Sequence, residues 1–254
     1  MRYGLFTLEN SKDPAALVHA LNLILVFINE GDDELKFFES KFNHQLLMSV
    51  MNEFEIDLTK VGLKIFIRLT ESKLFDLSFI DYPFIVFVMK CSEQCDFEVK
   101  ILSYQLMNSI ILVNEGVFIQ FMNDLAMYDE ILDTAERSTN HRLSYETLIC
   151  LNYILHKLLP EHIIELIRNT KLIDTLLKVL KKMDSNVVMR SLDCLNLILQ
   201  KESEYLPHNK FEELIIDIKK HELFENFHDL FEEKNQDESV KAFVSTLNDK
   251  YFQN

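Results

Sequence analysis

Tryptophan is missing from the 254 residues, and glycine and proline occur only four times each. So little turn-forming material excludes a sheet built from tight hairpins, and it leaves nothing for the glycine-rich loops that cradle phosphates. Cysteine is scarce as well. Cys91, Cys95, Cys150 and Cys194 contain no CxxC pair, and no Cys or His partner lies at a finger-like spacing from the i, i+4 pair Cys91 and Cys95. They read as small core residues of a chain kept in a reducing compartment. The eight histidines form no HExxH, and neither a nucleophile elbow nor a P-loop occurs. No catalytic residues, no metal site and no cofactor are expected, and the chain reads as a non-enzyme.

Positive charge is the minority sign, with 26 basic against 41 acidic side chains and a formal net charge of −15. That balance disfavours nucleic acid and anionic membrane surfaces and favours a basic partner. No uninterrupted apolar run reaches the length of a membrane span, and the opening residues "MRYGLFTLENSKD" are too short in apolar character for a signal peptide. The expected location is the cytoplasm, the nucleus or both.

What the chain does contain is repetition. "CLNYILHK" runs from Cys150 to Lys157, and "CLNLILQK" runs from Cys194 to Lys201, 44 residues later. The same frame recurs as "LNLIL" at Leu21 to Leu25 and "MNSII" at Met107 to Ile111, which places asparagines at Asn22, Asn108, Asn152 and Asn196. Their separations are 86, 44 and 44 residues, and "LKIFI" at Leu63 to Ile67 fills the double gap with Lys64 at the asparagine position. Two residues beyond each asparagine stands an isoleucine, Ile24, Ile110, Ile154 or Ile198, and Phe66 replaces it in the lysine copy.

The intervals are regular too. Pro160 suits the first turn of a helix; Ile163, Ile164 and Ile167 form one apolar stripe, and Leu172, Ile173, Leu176, Leu177 and Leu180 form a second. Asp184, Ser185 and Asn186 then supply an N-cap for the next long helix. Each period is a short, a medium and a long helix, and a three-helix unit of this size cannot bury its own stripes unless neighbours stack on it. The fold class expected is therefore all-α, a right-handed α-solenoid of armadillo/HEAT-type three-helix repeats. It spans 1–254 as a single domain of five to six repeats, with third helices near 14–28, 57–70, 97–113, 141–157, 186–201 and 238–251. The most apolar run, Phe75 to Lys90, reads as two short buried helices broken near Pro83.

The last hundred or so residues resemble the closing repeats of importin-α, the adaptor that carries nuclear-localisation signals. The likeness lies in "NTKLIDTLLKVL" from Asn169, "CLNLILQ" from Cys194, and "HELFENFHDLFEEKNQDESVKAFVSTLNDKYF" from His221 to Phe252. In that family the third helices hold an extended basic peptide with asparagines, each preceded by a tryptophan four residues earlier that makes a slot for a Lys or Arg stem. Here the positions four before hold Val18, Lys60, Tyr104, Leu148 and Leu192. The resemblance implies a protein partner presenting an extended basic segment, together with nuclear transport factors. It implies a peptide site made of Asn22, Tyr104, Asn108, Leu148, Asn152, Leu192 and Asn196, with Tyr104 offering an aromatic face to a cation.

From the residues alone, two readings of the asparagines stay open. A mid-helix amide is a poor helix former, so each either faces a peptide or ties its helix to the next repeat. A second function also stays open: an armadillo-type scaffold, or a cofactor resembling a heat-shock chaperone exchange factor, that uses another surface.

Overall fold

A computed structural model describes residues 2–39, 41, 43–53, 55–72, 79–113, 125–232 and 237–253. Among these residues there is no strand. The chain divides into two compact units, Met1–Gln120 and Phe121–Asn254.

The first unit contains α1 (Arg2–Asn10), α2 (Pro14–Glu30), α3 (Asp32–Glu39), α4 (His44–Glu53), α5 (Ile56–Glu71), α6 (Tyr82–Ser92) and α7 (Phe97–Val113). The long helices form its spine: α2 packs on α5, and α5 on α7, with α1, α4 and α6 against their backs. The second unit contains α8 (Leu125–Arg137), α9 (His141–Lys157), α10 (Pro160–Asn169), α11 (Leu172–Val179), α12 (Ser185–Tyr205), α13 (His208–Lys220), α14 (Glu225–Glu232) and α15 (Glu238–Leu247), closed by a wide helical turn at Asn248–Phe252. Here α9 packs on α12 and α12 on α15, while α8, α11 and α14 form a second stack behind them.

Capping explains where the long helices begin. The Asp13 carboxylate accepts from the N–H groups of Ala15 and Ala16, Asp96 from Glu98 and Val99, Asn140 from Leu143, Asp184 from Asn186 and Val187, and Asp237 from Ser239. Each cap satisfies donors that the first turn leaves without an intrahelical partner. Helix α5 departs from this, since Glu55 precedes it and makes no side-chain cap.

Burial of the isoleucine column holds each spine together. Ile24, Ile110, Ile154 and Ile198 are all 2% exposed or less. Phe66 takes that place in α5 at 0% exposure, and a larger side chain recruits a larger pocket: its ring stacks on Phe79 with centroids 5.9 Å apart and meets Phe84 edge-on at 4.8 Å. Pro83 does not break a helix. It sits in the first turn of α6, where Asp81 caps the N–H of Phe84, because a proline there forfeits no hydrogen bond. The early part of the Phe75 to Lys90 run, residues 75–78, lies outside the described residues.

Candidate functional site

In the second unit the caps Asn140 and Asp184 start α9 and α12 in the same register, so Asn152 and Asn196 fall at matching heights on neighbouring helices. Both side chains are half-buried. The amide of Asn152 donates to Cys194 Sγ at 3.8 Å, and that thiol donates in turn to the Leu148 carbonyl at 3.7 Å. Burial pushes the Cys194 thiol up to about 12, so it stays protonated and keeps its weak donor. Asn152 is therefore tied to the next repeat on one side and reaches solvent on the other. The Asn196 amide makes no hydrogen bond to any described residue.

The positions one turn earlier are not part of this surface. Leu148 and Leu192 are both 0% exposed, so neither can offer a face to a peptide. Leu148, Leu151 and Leu155, and equally Leu192, Leu195 and Leu199, are spaced i, i+3 and i+7, which is a core stripe. Two turns before Asn152, however, Tyr145 stands half-buried on the same line of α9. Arg190 of α12 lies against it, with its guanidinium carbon 5.5 Å from the ring centre and Nη2 donating to the Tyr145 hydroxyl at 3.3 Å. Nη1 of Arg190 reaches Asp193 Oδ2 at 3.2 Å, and the two side chains are 39% and 34% exposed. Each contact is modest at this exposure, about 0.5–1 kcal/mol for the ring contact and about 0.2–0.5 for the i, i+3 pair. Together they fix the guanidinium over the Tyr145 ring. The Tyr145 hydroxyl, more than any other group, holds the Arg190 pKa above its ordinary value, whereas burial raises the Asp193 carboxyl and Arg190 only partly offsets it.

The equivalent face of the first unit is arranged differently. Asn22 is exposed, and its amide turns back to the Val18 carbonyl of its own helix at 2.9 Å. Asn108 and Tyr104 are buried residues of α7, at 7% and 1% exposure. Lys60 and Lys64, which by sequence would repel a cation, are neutralised in place: Lys60 Nζ lies 3.1 Å from Asp96 and 3.6 Å from Glu98, and Lys64 Nζ lies 3.2 Å from Glu98. The Asp96 carboxyl sits below its usual range, chiefly through the Val99 N–H and then through Lys60; Glu98 is lowered first by Lys64. Of the seven residues proposed from sequence, the structure leaves Asn22, Asn152 and Asn196 in reach of solvent and brings only the last two together.

Two lysines missed by sequence reasoning close helix ends across the repeat. Lys201 Nζ donates to the carbonyls of Leu155, His156 and Leu158 at 2.7–2.8 Å, and Lys182 Nζ donates to those of Ala135 and Ser138 and to the Ser144 hydroxyl. These are the orphan carbonyls at the C-termini of α9 and α8. For Lys201 the signal was in plain view, since the repeated octapeptide ends in lysine in both copies; Lys182 lies outside the repeated segment.

A separate cavity of about 410 Å³ opens between α10 and α13, with Ile164, Ile167, Leu214 and Ile218 among its apolar walls and Arg168 and Lys171 among its cations. No group of three or more potential metal ligands occurs among the described residues, and no described helix is long and apolar enough to cross a membrane.

No protein-family profile matches the chain, and no curated protein matches it by sequence. Solved structures do match by fold. A computationally designed armadillo repeat protein for modular peptide recognition superposes with a TM-score of 0.71 at 13% identity, covering 98% of each chain. A designed armadillo repeat protein in complex with the peptide (KR)4 gives 0.69 at 13% identity and 98% of each chain. A third designed armadillo protein gives 0.66 at 14% identity over 95% of each. The fold is thus an all-α solenoid of armadillo type, reached here at an identity too low to carry more than architecture.

Proposed function

We propose that the protein is a non-enzymatic adaptor that holds an extended segment of a partner protein on the third helices of its second unit, with Asn152 and Asn196 gripping the segment's backbone. The observation that carries this is the pair of half-buried amides at matching heights on α9 and α12. An amide offers one acceptor and two donors, the complement of a peptide bond, and the amide of Asn196 has no internal partner among the described residues. The fold supports the reading in kind, since the designed armadillo proteins it resembles include one for peptide recognition and one solved with (KR)4. The net charge of −15 favours a segment with positive charge along its length. An importin-α-like role in nuclear import, shared between cytoplasm and nucleus, is the setting that the resemblance of the closing repeats suggests.

Peptide-display selection against the whole chain provides a ligand for the test. Asn152→Ala with Asn196→Ala is expected to lower its affinity at least about tenfold, as for two lost backbone hydrogen bonds. Thermal stability should fall only slightly, because one weak N–H···S bond is removed. Undiminished affinity would overturn the reading.

A second reading, a scaffold that uses another surface, is favoured by the cavity between α10 and α13. Its mainly apolar walls and rim of charge suit a few large side chains of a partner. Ligand binding that is lost in Leu214→Asp but retained in the asparagine double variant would select this reading instead.

A further inference from the structure

We infer that Arg190 is a specificity-determining residue that fills, from within the protein, the place where a ligand's lysine or arginine would sit. The inference rests on the asparagine reading above and goes on to say which peptides that face accepts. The position facing Tyr145 excludes a cationic side chain.

The geometry is that of a ligand already bound. A cation slot needs an aromatic face, an anion to balance the charge, and a polar group to orient the incoming donor. On α9 and α12 all three exist: the Tyr145 ring, the Asp193 carboxylate and the Tyr145 hydroxyl. All three are engaged by Arg190, at 5.5 Å to the ring centre, 3.2 Å to Asp193 Oδ2 and 3.3 Å to the hydroxyl. An incoming cation would therefore have to displace a guanidinium that already makes the same contacts intramolecularly, and it would meet a like charge on approach. Tyr145 and Asn152 lie two turns, about 10.5 Å, apart on one line of α9, a distance that about three residues of extended chain cover, so one short segment can reach both this occupied slot and the Asn152 amide. The leucines that fill the positions one turn before the asparagines leave no alternative slot there, since Leu148 and Leu192 are sealed at 0% exposure.

The test uses the whole 254-residue chain and the peptide (KR)4, the ligand carried by one of the designed armadillo structures. Affinity is measured by fluorescence anisotropy with labelled peptide for the wild type, Arg190→Ala, Arg190→Ser and Arg190→Ala with Tyr145→Ala. Emptying the slot should tighten binding about five- to tenfold, the scale of one partly exposed cation–π and charge contact. Either short side chain should serve, so a folding defect in one leaves the other. Removing Tyr145 as well should abolish the gain. Equal affinity of wild type and both Arg190 variants, or a gain that survives loss of Tyr145, would overturn the inference. The asparagine reading is separated by adding Asn152→Ala and Asn196→Ala to Arg190→Ala. If the gain at Arg190 persists but the asparagines prove irrelevant, the slot is real and the ladder reading fails; if removing the asparagines weakens binding while Arg190→Ala gives no gain, the reverse holds.

Discussion

Lys201 closes the C-terminus of α9 from the following repeat, and its Nζ accounts for three carbonyls at once. Burial lowers its pKa, yet three charge-assisted bonds hold the proton in place. Lys201→Met keeps the stem and removes the donors, and should destabilise the chain by about 2–3 kcal/mol in urea unfolding, because half-buried carbonyls are left unsatisfied. A loss below about 0.5 kcal/mol would mean that water replaces the ammonium. The next residue behaves oppositely. Glu202 is 0% exposed, neither carboxyl oxygen has a hydrogen-bond partner among the described residues, and burial pushes its pKa from 4.5 up to about 7, with Glu161 adding to the rise and Lys201 opposing it. Between those two values the folded chain binds a proton that the unfolded chain has released. Glu202 therefore makes stability fall as pH rises from 4.5 to about 7, with no further change above that. Glu202→Gln should flatten that slope and be the more stable protein at pH 8, by up to roughly 3 kcal/mol if the whole shift is relieved. An unchanged slope would place the titration elsewhere.

At the scale of the helix, what could be read in advance was whatever the chain writes with period. Asp184, expected as an N-cap, caps α12, and the isoleucine two places past each asparagine is buried; Asp13 and Asn140 do for α2 and α9 what Asp184 does for α12. Truncating Ile154→Ala should cost about 2–5 kcal/mol in chemical unfolding, since a 0%-exposed side chain between α9 and α12 leaves a cavity. A cost under about 1 kcal/mol would show a core that collapses into the space. The site was less legible than the fold, for a physical reason. Leu148 and Leu192 were assigned to a surface through resemblance, whereas their own spacing with Leu151 and Leu195 put them in the core. Arg190 and Tyr145 escaped notice because an i-to-j contact across 45 residues leaves no local pattern. The break near Pro83 falls at residues 80–81, and the Asp81 cap shows that the proline begins α6.

The whole molecule carries a net charge of −15 on an armadillo-type fold. Long-range attraction of this kind is screened beyond about 8 Å at physiological salt, so association with a basic segment should slow as salt rises while dissociation changes little. Surface kinetics at two ionic strengths would show this, and equal association rates at both would remove charge from the account. Peptide capture itself depends on Asn152 and Asn196 gripping the backbone. The most direct measurement is the pair of side-chain amide resonances of these residues during titration with the display-selected peptide. Both should shift together, saturate at one affinity, and do so with little change in the amides lining α10 and α13. Saturable binding that moves the signals of Leu214 and Ile218 and leaves both asparagine side chains where they were would contradict it.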